Sequence, residues 1–150
     1  MNRFEILEKA IDAVYADSAQ DGWNPYKLSH PLFVVWAVEK SQGVTDNGGF
    51  QYFFENNWPD NPPYSIFIGA LREIGAREAA DCLQKAVDDF PFPNPHLDYE
   101  KRREHLEKSR SAADEYDSII DQLGDRMMDL SGDTYAKLEA YIKQQPKVLS

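Results

Sequence analysis

The chain has 150 residues, 42% hydrophobic, 13% aromatic and 28% charged, with 9 Pro, 8 Gly and 1 Cys. This composition excludes collagen, low-complexity disorder and a disulfide scaffold; the length suits one domain, residues 1–150, burying roughly 70% of the surface its unfolded chain exposes. A formal net charge of −10 argues against direct contact with nucleic-acid backbones or anionic membranes and favours a basic partner.

Cys82 stands alone, so no intramolecular disulfide and no cysteine-based zinc site can form. The first residues carry acids every few positions, unlike the apolar run of a signal peptide. Leu32 to Val38 is the longest apolar stretch, far short of the ~20 residues of a membrane span. The expectation is a soluble protein of a reducing compartment, most simply the cytoplasm.

Phe4, Leu7, Ile11 and Val14 recur on one face of a helix, with Glu5 and Lys9 spaced as an ion pair. Residues 21–28, with Gly22 and Pro25, predict a loop. Ser29, His30 and Pro31 then cap a helix that runs to Gly43. Its apolar residues surround the axis, which places it at the centre of the fold; a buried strand over 32–36 is the competing assignment. A third helix is expected from Thr45, Asp46 and Asn47 to Trp58, stopped by WPDNPP. Tyr64 to Ile74, ended by a left-handed Gly75, and residues 76–90 predict an αα-hairpin, with Asp81 and Lys85 spaced as a pair.

Residues 91–97, PFPNPHL, predict an extended, polyproline-like strap. Beyond it Leu106, Ala113, Tyr116, Ile120, Leu123, Met127 and Leu130 fit a heptad seam on one helix, which Gly124 weakens or ends. Such a seam packs inside one chain or pairs two, so a monomer and a homodimer are both open. Thr134 to Gln145 predicts the last helix, closed by Pro146. With no alternating strand, the expected fold class is all-α, a single-layered bundle of about six to seven helices.

Signatures of catalysis are absent: no GxSxG elbow, no Gly-rich phosphate loop, no HExxH. His96 and Asp98, with Asp88 and Asp89, make the best oxygen-rich loop, but no His follows a Glu by three residues. No catalytic residue, metal or cofactor is expected, and His105 is assigned to a helix surface. Lys101, Arg102, Arg103, Lys108 and Arg110 interleave with Glu100, Glu104 and Glu107, which predicts a mixed-charge helix surface.

Asn47-Gly48-Gly49-Phe50 is the most unusual local feature, because two glycines at a helix start each cost about 1 kcal/mol relative to Ala. Two explanations stand: tight packing at a helix junction, or an anion pocket of exposed first-turn amides. With Trp36, the run Tyr52-Phe53-Phe54, Asn56 or Asn57, and Ala70-Leu71-Arg72-Glu73-Ile74-Gly75-Ala76, this motif resembles the domain family that contains the DMP-type DNA-mimic protein. The likeness covers roughly residues 30–145, and Gln51 comes one place earlier than the family pattern. The resemblance implies the fold; for function it implies an acidic surface that imitates double-stranded DNA and occupies the DNA-binding face of a regulator.

That implication meets a local excess of carboxylates. Residues 111–133 hold Asp114, Glu115, Asp117, Asp121, Asp125, Asp129 and Asp133 against Arg126 alone. Five of these aspartates recur every fourth residue, an arrangement that repels internally on a helix. On one continuous helix the row would place carboxylates roughly 7 Å apart, close to the phosphate spacing a basic protein meets. The plain alternative is a solvated face with capping aspartates. Three functions follow: an acidic interaction domain and DNA mimic, an immunity-type inhibitor of a basic toxin or nuclease, or a small-ligand or enzymatic module at the Asn47–Gly49 junction or the His96 loop.

Overall fold

The computed structural model describes residues 1–112 and 118–150. Helix α1 (Arg3–Val14) opens with a reciprocal cap: Asn2 Oδ1 accepts from Glu5 N (2.9 Å), and Glu5 Oε2 accepts from Asn2 N (3.1 Å). Glu5 is therefore committed to the cap rather than to Lys9. The buried stripe is Ile6, Ala10 and Val14, one position off the predicted face, and Phe4 is 72% exposed. Ala10 explains the shift, since its small side chain lets α1 close on the helices beneath.

Helix α2 (His30–Glu55) is one long element. Val34, Val35, Trp36, Ala37 and Val38 are all buried, so the competing strand is a helix in the structure. Gly43 lies inside α2 rather than at its end, because Ser41, Gln42 and Thr45 continue the turn: Thr45 Oγ1 donates to Ser41 O (2.7 Å). Thr45 is thus an interior residue and caps nothing. The regular helix breaks instead at Gly48 (φ −163°, ψ 16°) and Gly49 (φ 67°, ψ −165°). Trp58, expected within a helix, is buried in the loop that follows.

Helix α3 (Ser65–Glu73) ends where Ala76 N donates to Leu71 O (2.9 Å) and Gly75 N to Arg72 O (3.0 Å), with Gly75 at φ 86°. This is the left-handed cap that glycine supplies without strain. Helix α4 (Arg77–Asp88) follows, and its Asp81 pairs with Arg72 (3.0 Å) instead of Lys85. The proline strap is only partly extended, for Asn94 is left-handed (φ 51°) and Pro95–Leu97 form a 3-10 turn, as Pro25–Lys27 do in the first loop.

The single seam helix is two elements. Helix α5 (Tyr99–Ala112) and helix α6 (Ile119–Asp129) are separate, since Ser118 is extended and caps α6. Leu106, Ile120 and Met127 are nevertheless buried in this chain's own core; Ala113 and Tyr116 lie outside the described residues. Gly124 lies within α6 rather than ending it, and Leu130 separates α6 from helix α7 (Ser131–Lys143), whose first turn contains Gly132. Pro146 not only follows the end of α7 but starts a further short helix, α8 (Pro146–Leu149), where a proline fits the first turn.

The fold is an all-α bundle, with eight α-helices and no strand among the described residues. α2 lies at its centre and packs against α1, α3, α5, α6 and α7. Around it Phe53 meets Phe54 (5.1 Å between ring centroids), Trp58 (5.5 Å) and Phe67 (5.7 Å), and Phe54 meets Phe90 (5.0 Å). Edge-to-face and tilted contacts of this kind add to the burial of large apolar area. Among the described residues no helix is long and apolar enough to cross a membrane.

Candidate protein-interaction surface

Helix α6 carries the described core of the acidic run, and packing decides which of its carboxylates face outward. Gly124 lies on its buried side, where a Cβ would approach Phe50 N to 2.8 Å and Phe50 Cβ to 3.3 Å. The helix therefore rests on the backbone just past the break in α2. That break needs Gly49, whose φ and ψ fall in a region open essentially to glycine alone. Gly48 has an extended φ that any residue adopts, but its Cβ would stand 2.6 Å from Tyr52 Cβ. Asn47 is exposed on the last regular turn before them. Asn47, Gly48, Gly49 and Phe50 thus shape the seat on which α6 lies.

At its start, α6 is tied to α5. Ser118 Oγ accepts from Asp121 N (3.1 Å) and donates to Asp121 Oδ2 (2.8 Å). Arg110 Nε and Nη2 donate to the two Asp121 oxygens, 3.2 Å each. Burial alone would raise the Asp121 pKa, but the bonds from Arg110 and Ser118 outweigh it and hold the carboxyl below its ordinary value. Asp121 is only 8% exposed. It is a clasp between two helices and not part of an outward row, because its oxygens already have partners.

Asp125 and Asp129 are exposed and one turn apart, an axial advance of about 6 Å. Neither makes an ion pair among the described residues. Asp133 is exposed in the first turn of α7 and pairs with Lys137 (2.7 Å). The expected continuous row is thus interrupted twice, at buried Asp121 and at the junction on Leu130. Asp114, Glu115 and Asp117 lie outside the described residues.

Tertiary packing adds acids that spacing along the chain could not supply. Arg126 Nη2 donates to Glu78 Oε2 (2.7 Å), joining the exposed sides of α6 and α4 across 48 positions. Asp46 on α2 accepts from Gln42 Nε2 (2.8 Å) and from the Ser131 hydroxyl at the start of α7. No local periodicity announces either neighbour.

The basic segment departs furthest from its sequence assignment. Arg102 is 2% exposed and donates to Phe54 O (2.9 Å), Pro95 O (2.7 Å) and Asn57 Oδ1 (3.1 Å). It satisfies a carbonyl at the C-terminal end of α2 and anchors the proline strap, which no surface residue could do. His105 is likewise not a surface histidine: its side chain is half-buried and Nε2 lies 2.9 Å from Asp89 Oδ2. Asp98 caps α5 through Lys101 N (3.1 Å). Burial and the nearby Arg102 charge push the His96 pKa down. Among the described residues, no group of three or more His, Cys, Asp or Glu side chains could hold a metal ion.

An all-helical domain whose kinked central helix seats an acid-bearing helix is the class these features define. The family model described as DMP19-like protein matches residues 26–145, and the chain belongs to that family. The comparison with curated proteins finds no match, and neither does that with solved structures.

Proposed function

We propose that this protein is an acidic interaction domain of the cytoplasm, without catalytic activity or cofactor, whose surface around α6 occupies a basic face of a partner protein. A DNA-binding regulator is the kind of partner the reading favours, because a surface that binds phosphates also attracts carboxylates. The supporting observation is the exposed pair Asp125 and Asp129, one helical turn apart and without an ion pair among the described residues. Glu78 and Asp133 lie on the helices flanking α6, on α4 and α7, although each is already shared with a base. Family membership supports the same reading through the mimicry that the sequence resemblance implies.

The action is competitive occupation. Basic side chains of the partner cannot contact carboxylates and phosphates together, so the domain withdraws its partner from DNA without binding DNA or a membrane itself. Affinity capture from lysate at low and high salt identifies the partner. The variant Asp125→Lys/Asp129→Lys is expected to lose capture while its helical circular dichroism persists, and duplex DNA is expected to displace the captured protein. Capture that ignores both the charge reversal and the DNA would refute the proposal.

A further inference from the structure

Helix α1 carries a feature that the acidic face does not use. Phe4, Leu7, Ile11 and Val14 follow one another at intervals of three, four and three residues, the spacing of a coiled-coil seam. This chain covers only the end of that seam: Val14 is 2% exposed, Leu7 and Ile11 are half-buried, and Phe4 is 72% exposed. Ile6 and Ala10, on the neighbouring stripe, are the residues turned inward where α1 packs on the bundle. A lone exposed phenylalanine would be ordinary. An apolar seam kept in register along a 12-residue helix is instead a face that a second element covers.

The charged residues of α1 select what covers it. Glu8 follows Leu7 and Asp12 follows Ile11, so both flank the seam on the same side. Both are exposed, and neither makes an ion pair among the described residues. Glu5 is held in the N-terminal cap. The bases of α1 lie elsewhere. Arg3, on the opposite border of the seam, donates to Glu139 (3.2 Å), and Lys9, two residues from both Leu7 and Ile11, stands on the far side of the helix. A second copy of this chain therefore has no free base on α1 to set against Glu8, and it brings another net charge of −10.

We propose that the open seam of α1 packs against an amphipathic helix of a partner protein, apolar along one face and edged by Lys or Arg. Side chains of that helix enter the spaces around Phe4, Leu7 and Ile11, and its bases reach Glu8 and Asp12. The seam repeats about every 5 Å along α1, the step at which another helix presents its own apolar face. An extended strand repeats on one face only about every 6.6 Å and falls out of register within two contacts. An acidic helix or an anionic lipid surface would meet Glu8 and Asp12 with its own charge.

The test uses the full chain and two synthetic helical peptides of about three heptads, with Leu at the seam positions and either Lys or Glu at the flanking ones. In ¹H–¹⁵N spectra the Lys peptide is expected to shift the amides of residues 4–12 and to bind more tightly than the Glu peptide. Phe4→Ser, at a position too exposed to endanger the fold, is expected to weaken that binding about tenfold while helical circular dichroism is unchanged. Glu8→Lys/Asp12→Lys should turn the preference toward the Glu peptide, whereas Asp125→Lys/Asp129→Lys leaves the shifts at α1 in place. Shifts absent from α1, Phe4→Ser binding as the wild type does, or equal binding of the two peptides overturns the proposal. So does a dimer in sedimentation, or pelleting with phosphatidylcholine vesicles, that Phe4→Ser abolishes, because either result gives the seam to a different occupant.

Discussion

A methyl group added at Gly69 and one added at Gly124 should have opposite effects, although both glycines lie inside helices. Gly69 is exposed on α3 with nothing within 4 Å of an added Cβ. Gly69→Ala is therefore expected to stabilise the protein by up to about 1 kcal/mol, through helix propensity and a less flexible unfolded chain. Gly124→Ala pushes a carbon to 2.8 Å from Phe50 N and is expected to cost about 1–3 kcal/mol. Urea unfolding of the two variants checks the signs. Asp121 supplies a pH test at the same scale. Its carboxyl pKa is lower in the folded chain than its ordinary value, so its contribution is complete above that ordinary value and is lost as pH falls through the folded one. Asp121→Asn should lower the urea midpoint at neutral pH and flatten its decline below about pH 4. Sequence spacing could show that Gly124 and Asp121 share a helix, but not that both point inward.

Between elements, the decisive contact is Arg102. Three of its donors reach acceptors at Phe54, Pro95 and Asn57, joining α5 to the end of α2 and to the strap. Arg102→Met keeps most of the volume but strands those acceptors, and an expected loss of about 3 kcal/mol should appear in urea titration. Arg102→Lys should recover less than half, because an ammonium cannot span three acceptors held in a fork. The sequence offers no warning here. Lys101 and Arg103 are exposed on either side, and two of the acceptors are main-chain carbonyls, which carry no residue identity to read. Helix boundaries were more legible where the cap is local, as at Gly75 at the end of α3, than where the chain runs on: Thr45 and Asp46 look like caps but lie within α2, since the break falls at Gly48 and Gly49.

For the whole molecule, capture by the proposed acidic surface should respond to salt. Screening shortens the range of exposed charges from about 8 Å at physiological ionic strength to about 3 Å at 1 M, so capture through Asp125 and Asp129 should fade steeply. Capture measured at the two salt concentrations checks this. Helix content, the aromatic core around Trp36 and Phe53, and the need for glycine at 48, 49 and 75 could all be read from residues close together in the chain. They depend on periodicity and backbone dihedrals, which neighbours within a few positions dictate. Which aspartates reach solvent, why Gly124 cannot grow, and that Arg102 is interior were decided only by the tertiary structure. Each depends on partners brought together across the fold, and a carboxylate's availability is set by the groups that meet it there, not by its spacing along a helix.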